Sequence, residues 1–199
     1  MRRVGVLISG RGSNLQALLD AAQAGQLGGE VVAVVSNVAG AAGLERAHRA
    51  GVPAFVQDHR GRTRDEHDAA VRRLLEDQGV ELVCLAGYMR LLTPAFLNRF
   101  QGRIINIHPG LLPAFGGRGF YGRRVHEAVL AAGLKVSGAT VHFVDEEYDH
   151  GPIILQREVP VEPGDTPETL GARVLAAEHL AYPEAVRLFA DGRIESPSS

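Results

Sequence analysis

Apolar and polar positions along the chain fall into a repeating order of short unbroken runs and helical stripes. Residues 4–9 (VGVLIS) form a β-branched run that stops at a Gly-rich turn. Residues 15–24 carry Leu15, Leu18, Leu19 and Ala22 at the spacing that puts them on one helical face. Residues 30–36 (EVVAVVS) are apolar throughout, the pattern of a strand covered on both faces. Residues 42–50 read as a helix closed by Gly51 and followed by Pro53, and residues 53–56 as a short strand. Thr63 is placed to cap a helix running to about Gln78, with Gly79 as its stop. Residues 81–86 and 103–107 are the fourth and fifth strands. Strand and helix thus alternate, which predicts a doubly wound, mostly parallel α/β sheet.

The last third changes period. Residues 136–144 (VSGATVHFV) and 152–159 (PIILQREV) are strands joined by the polar loop 145–151, and they predict an antiparallel extension of the sheet. Thr166-Pro167 then opens a long helix to about Phe189, with Thr166 as cap and Pro183 placed to kink or split it. The tail at 196–199 is polar and expected to fray. With no linker or low-complexity stretch, residues 1–199 are read as a single domain.

Composition narrows the classes. Of 199 residues, 45% are hydrophobic and 22% charged, which excludes a disordered or fibrous chain. Lys plus Arg is 21 and Asp plus Glu is 23, a net charge of −2, without the basic excess of a nucleic-acid binder. The single cysteine, Cys84, forbids an internal disulfide or a zinc ribbon and fits a reducing, cytoplasmic setting; lying in an apolar strand, it reads as core. Arg2-Arg3 before an apolar run imitates a signal peptide. The run ends after five residues with no cleavage site, and no stretch is long enough to span a membrane.

In an open parallel sheet, ligands bind at the carboxyl ends of the strands. The turn Ser9-Gly10-Arg11-Gly12-Ser13-Asn14 lies at such an end. Its glycines let backbone approach an anion, and the amides of the next helix point at it. It is neither GxGxxG nor a Walker loop, and it suits one phosphate monoester. A tight turn with Ser13 or Asn14 as helix cap is the equally available reading. Asn106-Ile107-His108-Pro109 ends the fifth strand, and strand alternation sends Asn106 and His108 to one side. An amide beside an imidazole can hold an oxyanion and move a proton near neutral pH; the plainer reading is a hydrogen-bonded His at a strand end. The acidic loop 145–151 reads chiefly as a solvated hairpin tip, but Asp149, fixed by Gly151-Pro152, can raise the pKa of a nearby imidazole. Gly116-Gly117-Arg118-Gly119 is either an anion cradle or a flexible loop. The other histidines lack metal-ligand spacing, so no metal site is expected.

Five ordered strings, LISGRGSNLQALLD (7–20), LAGYMRLLTPAFL (85–97), NIHPGLLPAF (106–115), SGATVHFVDEEYDHGPIILQ (137–156) and AEHLAYP (177–183), resemble the glycinamide ribonucleotide formyltransferases of purine biosynthesis. The resemblance runs from Val4 to about Arg193. It implies a Rossmann-like formyltransferase fold and transfer of a formyl group from 10-formyltetrahydrofolate, as cosubstrate, to the amine of glycinamide ribonucleotide. By position it implies that Asn106, His108 and Asp149 are catalytic and that Gly12, Ser13 and Asn14 hold the acceptor phosphate. Glu178 then contacts the ribose, and Arg64, Met89, Arg90, Leu91 and Leu92 serve the folate. A monomer or homodimer without nucleic-acid or membrane partners is expected. The nearest rivals are other formyl-folate enzymes: a hydrolase, expected to carry an N-terminal domain, and a methionyl-tRNA formyltransferase, expected to need a C-terminal one. A dinucleotide oxidoreductase would carry an acidic residue where Ser36-Asn37 ends the second strand. A non-catalytic nucleotide module would leave Asn106, His108 and Asp149 unexplained.

Overall fold

A computed structural model of the chain describes residues 1–194; the tail expected to fray lies outside them. One seven-stranded sheet runs through the molecule in the order β3-β2-β1-β4-β5-β6-β7. The strands are β1 (Arg2–Ile8), β2 (Gly29–Ser36), β3 (Ala54–Val56), β4 (Leu82–Leu85), β5 (Ile104–His108), β6 (Val136–Phe143) and β7 (Ile153–Pro160). The first five are parallel, and β6 and β7 are antiparallel. This is the predicted doubly wound α/β sheet with its antiparallel extension. The chain builds outward from β1 to β3, then returns to lay β4 on the other side of β1. The strand order reverses there, so the loops after β1 and β4 open a crevice between them.

The helices are α1 (Ser13–Gln23), α2 (Gly43–Arg49), α3 (Arg64–Asp77), α4 (Pro94–Arg99), α5 (Arg123–Ala131) and α6 (Pro167–Ala190). Strand alternation divides the core between the two sheet faces. Val4, Val6 and Ile8 of β1 and Leu82 and Cys84 of β4 pack with Leu15, Leu18, Val125 and Val186 on one face. Leu7, Val83 and Leu85 pack with Val71, Leu75, Phe96 and Phe100 on the other. Burial pushes the Cys84 thiol well above its ordinary pKa, as befits a core residue. Tyr182 of α6 is fully buried, and its hydroxyl lies 2.8 Å from the Leu85 carbonyl and 3.1 Å from that of Ile105. It ties α6 to the carboxyl end of β4 and to the start of β5 beside it.

Thr63 caps α3 in a full capping box with Glu66, and Thr166 caps α6 ahead of Pro167. Pro183 neither ends nor splits α6, which runs unbroken for 24 residues. Buried Ala181, Tyr182, Ala185 and Val186 on both sides of the proline hold that helix to the sheet. Two helices were not expected from the pattern. The cap of α4, Thr93-Pro94, repeats the Thr166-Pro167 signature. The nine residues of α5 bury only Val125, His126 and Val129, too few turns for a clear stripe. Among the described residues no helix is long and apolar enough to cross a membrane.

Candidate active site

The crevice holds two built regions. The first is the turn after β1, opposite Ala86 and Gly87 after β4; a pocket there is lined by Gly10, Arg11, Gly12, Ser13 and Asn14. Gly12 is the N-cap of α1 with φ of 72°, a left-handed conformation that L side chains rarely adopt. A Cβ there would come within 2.7 Å of the Gly43 Cα. Neither Ser13 nor Asn14 caps the helix, for α1 has no side-chain cap, nor has it an acidic residue in its first turn. Its leading N–H groups and its positive dipole end therefore face the pocket, the arrangement that suits an anion. The turn is braced from α2: Gly43 N donates to the Gly10 carbonyl at 3.0 Å and Arg46 Nε to the Arg11 carbonyl at 2.8 Å.

Glu178 of α6 lies beneath this turn. It is 7% exposed, and its side chain accepts a hydrogen bond from Asn14 Nδ2 at 3.4 Å. Burial pushes its carboxyl up to about 7, which the Asn14 bond opposes only in part. The opposite atom of that amide, Asn14 Oδ1, is buried and has no hydrogen-bond partner among the described residues.

The second region is a cleft lined by Tyr88, Arg90, Leu91 and Leu92 on one wall and by Asn106, His142, Asp145 and Asp149 on the other. Register builds it. Antiparallel pairing sets Asn106 opposite His142 and His108 opposite Thr140. Alternation points these four away from the face where Ile105, Ile107, Ala139 and Val141 join the core. Asn106 Nδ2 lies 3.2 Å from His142 Nε2, and His142 Nδ1 lies 2.8 Å from the Phe143 carbonyl. The Phe143 carbonyl can only accept, so Nδ1 donates to it, and the Asn106 amide lies against Nε2 with its second N–H hydrogen left for a ligand. Thr140 Oγ1 accepts from Leu112 N at 3.1 Å and donates to the Gly110 carbonyl at 2.7 Å, holding the loop that follows His108.

That loop covers His108, which is 3% exposed. His108 Nε2 donates to the Phe115 carbonyl at 2.9 Å, and Nδ1 lies 3.4 Å from Asp149 Oδ2. Asp149 Oδ1 lies 3.6 Å from His142 Nε2, and Oδ2 accepts from Gly117 N at 3.0 Å. The Gly116–Gly119 stretch, read as anion cradle or flexible loop, thus gives an amide to the protein's own carboxylate. Asp149 (φ 53°) and Phe115 (φ 51°) both sit in the left-handed region, a strain on the order of 1–2 kcal/mol each, placed where they meet His108. The turn that fixes Asp149 needs Gly151, where a Cβ would strike the Phe143 carbonyl.

Electrostatics here depart from the sequence expectation in one respect. A raised His108 pKa was expected from Asp149. Burial acts more strongly and lowers it overall, while Asp149 and the Phe115 carbonyl pull the other way. Burial would raise Asp149, but the contacts with His142, His108 and Gly117 N outweigh it, so its carboxyl stays below its ordinary value. The cluster therefore holds a fixed negative charge beside an imidazole poised to gain or lose a proton.

Of the residues singled out in the sequence, Asn106, His108 and Asp149 come together, and so do Gly12, Ser13, Asn14 and Glu178. Arg90, Leu91 and Leu92 line the cleft; Met89 is 59% exposed and outside its lining. Arg64 does not reach the cleft lining: it is exposed at the start of α3. Sequence reasoning missed His142. Its signal is a polar residue within an apolar strand, on the parity that faces Asn106 once β5 and β6 are paired.

Comparison with known proteins extends over the whole described chain. The formyl transferase family profile matches residues 2–186. The chain is 50% identical over 194 residues to the trifunctional purine biosynthetic protein adenosine-3 of Gallus gallus, covering 97% of this chain but only 19% of that protein. It is 42% identical to the phosphoribosylglycinamide formyltransferase of Haemophilus influenzae, covering 98% of this chain and 90% of the relative. The crystal structure of glycinamide ribonucleotide transformylase 1 from Symbiobacterium toebii superposes with a TM-score of 0.92 at 54% identity, covering 98% of this chain and 91% of that one.

Proposed function

The chain belongs to the formyl transferase family, and on that premise we propose that it transfers the formyl group of 10-formyltetrahydrofolate to the amine of glycinamide ribonucleotide, with the residues described acting as a single formyltransferase domain. One observation carries the reading. The anion-ready turn at 10–14 and the cleft lined by Asn106 and Asp149, with the buried His108 in contact with Asp149, flank the segment that runs from Ala86 and Gly87 to Leu92. A phosphorylated acceptor anchored at the turn can therefore reach a formyl donor seated in the cleft.

The acceptor phosphate lies over Gly12, Ser13 and Asn14, and Glu178 takes ribose hydroxyls. The donor's ring system lies along Arg90, Leu91 and Leu92. The cleft fits a flat ligand with a polar edge: Leu85, Leu92 and Val144 supply apolar surface, while Tyr88 Oη and Arg90 Nε are buried and have no hydrogen-bond partner among the described residues. In this role Met89 contributes backbone, and Arg64 meets the charged tail of the donor outside the cleft. The acceptor amine attacks the formyl carbon, and the carbonyl becomes an oxyanion. The free N–H of Asn106 donates to it, and the positive charge of a protonated His108 beside the cleft favours it. The amine gives up its proton by way of Asp149, the C–N10 bond breaks, and N10 leaves as it takes up a proton. His142 holds Asn106 in the donating orientation.

The test is a single-turnover and steady-state assay of the purified chain with both substrates, read as tetrahydrofolate release. Release should require glycinamide ribonucleotide and match formylated product one to one. Equal release without the acceptor would make the chain a hydrolase and overturn the proposal.

A further inference from the structure

The cleft wall at 88–92 lies between β4 and α4 and belongs to neither. No strand ladder or helix holds its shape. Two side chains from distant parts of the chain grip it by backbone amides instead. At one end Met89 N donates to Ser9 Oγ at 2.9 Å. Ser9 Oγ in turn donates to Asn37 Oδ1 at 2.5 Å, and the Asn37 amide and carbonyl both face His59 Nδ1, at 3.2 and 3.0 Å. At the other end Thr93 N donates to Asp68 Oδ2 at 2.7 Å. Asp68 Oδ1 lies 3.3 Å from His67 Nδ1, and His67 Nε2 donates to the Gln57 carbonyl at 2.8 Å.

These groups are deep. Asp68 is 1% exposed, and His67 and Thr93 are buried with it. Among the described residues no arginine or lysine makes an ion pair with Asp68. A carboxylate so deeply buried costs free energy unless its oxygens are used. One of these oxygens accepts from a single amide in an irregular segment, and the other faces His67. That amide is well chosen. Thr93 is also the cap of α4, so holding its N–H fixes where the segment ends and the helix begins. Between Met89 and Thr93 lie only Arg90, Leu91 and Leu92, the residues that face the cleft.

We propose that Asp68, with Ser9 as its counterpart, is a positioning residue for the formyl donor: the two side chains hold the ends of the 88–93 segment and so set how Arg90, Leu91 and Leu92 present themselves to it. The assignment rests on the reading that this wall takes the donor. Ser9 also precedes the anion-ready turn, so the same hydroxyl lies between the two regions of the crevice.

The test compares Asp68→Ala, Asp68→Asn and Ser9→Ala with Arg90→Ala, by KM for each substrate and by amide hydrogen exchange without substrates. Asp68→Ala should raise the donor KM about tenfold and leave the acceptor KM within about twofold, the size of effect that a displaced binding wall produces. Asp68→Asn keeps an oxygen for Thr93 N and should restore most of the donor affinity. Exchange should quicken at amides 89–93 in Asp68→Ala and Ser9→Ala, with the interior of α3 unchanged. Should Asp68→Ala fail to fold, Ser9→Ala and Asp68→Asn carry the comparison. Arg90→Ala tests the donor reading itself. If it raises the donor KM while Asp68→Ala and Ser9→Ala do not, the positioning role is wrong and the donor reading stands. If Arg90→Ala leaves the donor KM unmoved, the donor reading falls first. A rise of both KM values together in Asp68→Ala would show general loosening and would also overturn the role.

Discussion

The two halves of the crevice are built from different materials. The pocket at 10–14 is local and made of backbone: five consecutive residues, a glycine with positive φ, and the uncapped start of α1. The cleft beside it is made of side chains from β5, β6 and two loops, brought into reach by antiparallel register. The contrast teaches where each is fragile. A backbone site tolerates changes of side chain and fails when a Cβ fills the space its amides need. A side-chain site tolerates changes of loop and fails when one atom goes. Substitutions in the two halves should therefore separate cleanly in what they damage.

The largest effects belong in the cleft. His108→Ala and Asn106→Ala should each lower kcat about 10²-fold or more, since one removes the positive charge beside the oxyanion and the other a donor to it. The acceptor KM should hardly move. Asp149→Asn sharpens the point with pH. Asp149 raises the affinity of His108 for its proton against the stronger effect of burial. Its loss lowers the His108 pKa further, so the limb on which activity falls with rising pH moves to lower pH, and kcat at neutral pH drops about tenfold. Rate profiles from pH 5 to 9 decide it; a limb that stays put would detach Asp149 from His108.

Glu178 blurs the contrast, because it is a buried carboxyl under the backbone-built pocket. Its folded pKa is about 7 against an ordinary 4.5. Between these values the folded state holds more protons than the unfolded one, so stability from this group is complete at low pH and is lost as pH rises toward 7. The loss between pH 5 and 7.5 should be about 2 kcal/mol. Glu178→Gln removes it: melting curves of parent and variant should lie close at pH 5 and diverge by pH 8, where the variant is the more stable. The same variant should bind the acceptor less well. Parallel melting-temperature profiles would mean that Glu178 is ionised in the folded protein.

The same contrast explains what could be read from the sequence. The parallel strands, the capped helices α3 and α6 and the turn at 10–14 are local patterns: runs, stripes, caps and glycines. They depend on period and turn chemistry, which a linear chain displays. Asn106 and His108 were legible as a pair because they share one strand. Their link to Asp149, 41 residues beyond His108, came through the resemblance to a family. His142 showed only as a polar residue within an apolar strand, and Asp68 was not legible at all. Each acts across the fold, one through the β5–β6 register and the other through the packing of α3 against the 88–93 segment. Nor was the direction of the His108 shift, since burial under a loop has no local signature. Charge pairing is visible in a sequence; the desolvation that opposes it is not.

The narrowest effect separates two glycines of the same turn. Gly12 has φ of 72°, and a Cβ on it would press to 2.7 Å on the Gly43 Cα, a backbone atom that cannot swing aside. Gly10 has no atom within 4 Å of its virtual Cβ. Gly12→Ala therefore meets both the left-handed penalty, about 1–2 kcal/mol, and a clash that pushes the start of α1 away from α2. The leading amides of α1 should shift with it, and the acceptor KM should rise about tenfold, equivalent to ~1.4 kcal/mol, while the donor KM stays within twofold. Gly10→Ala, with no clash to relieve, should change the acceptor KM less than threefold. Inorganic phosphate as a competitive inhibitor gives a second reading, because it probes the pocket without the ribose contacts of Glu178. Its inhibition constant should weaken in Gly12→Ala by a factor similar to that for the whole acceptor. If the two glycines behave alike, or if Gly12→Ala weakens donor and acceptor equally, the pocket is not the backbone-built anion site that its geometry describes, and the division between the two halves of the crevice fails with it.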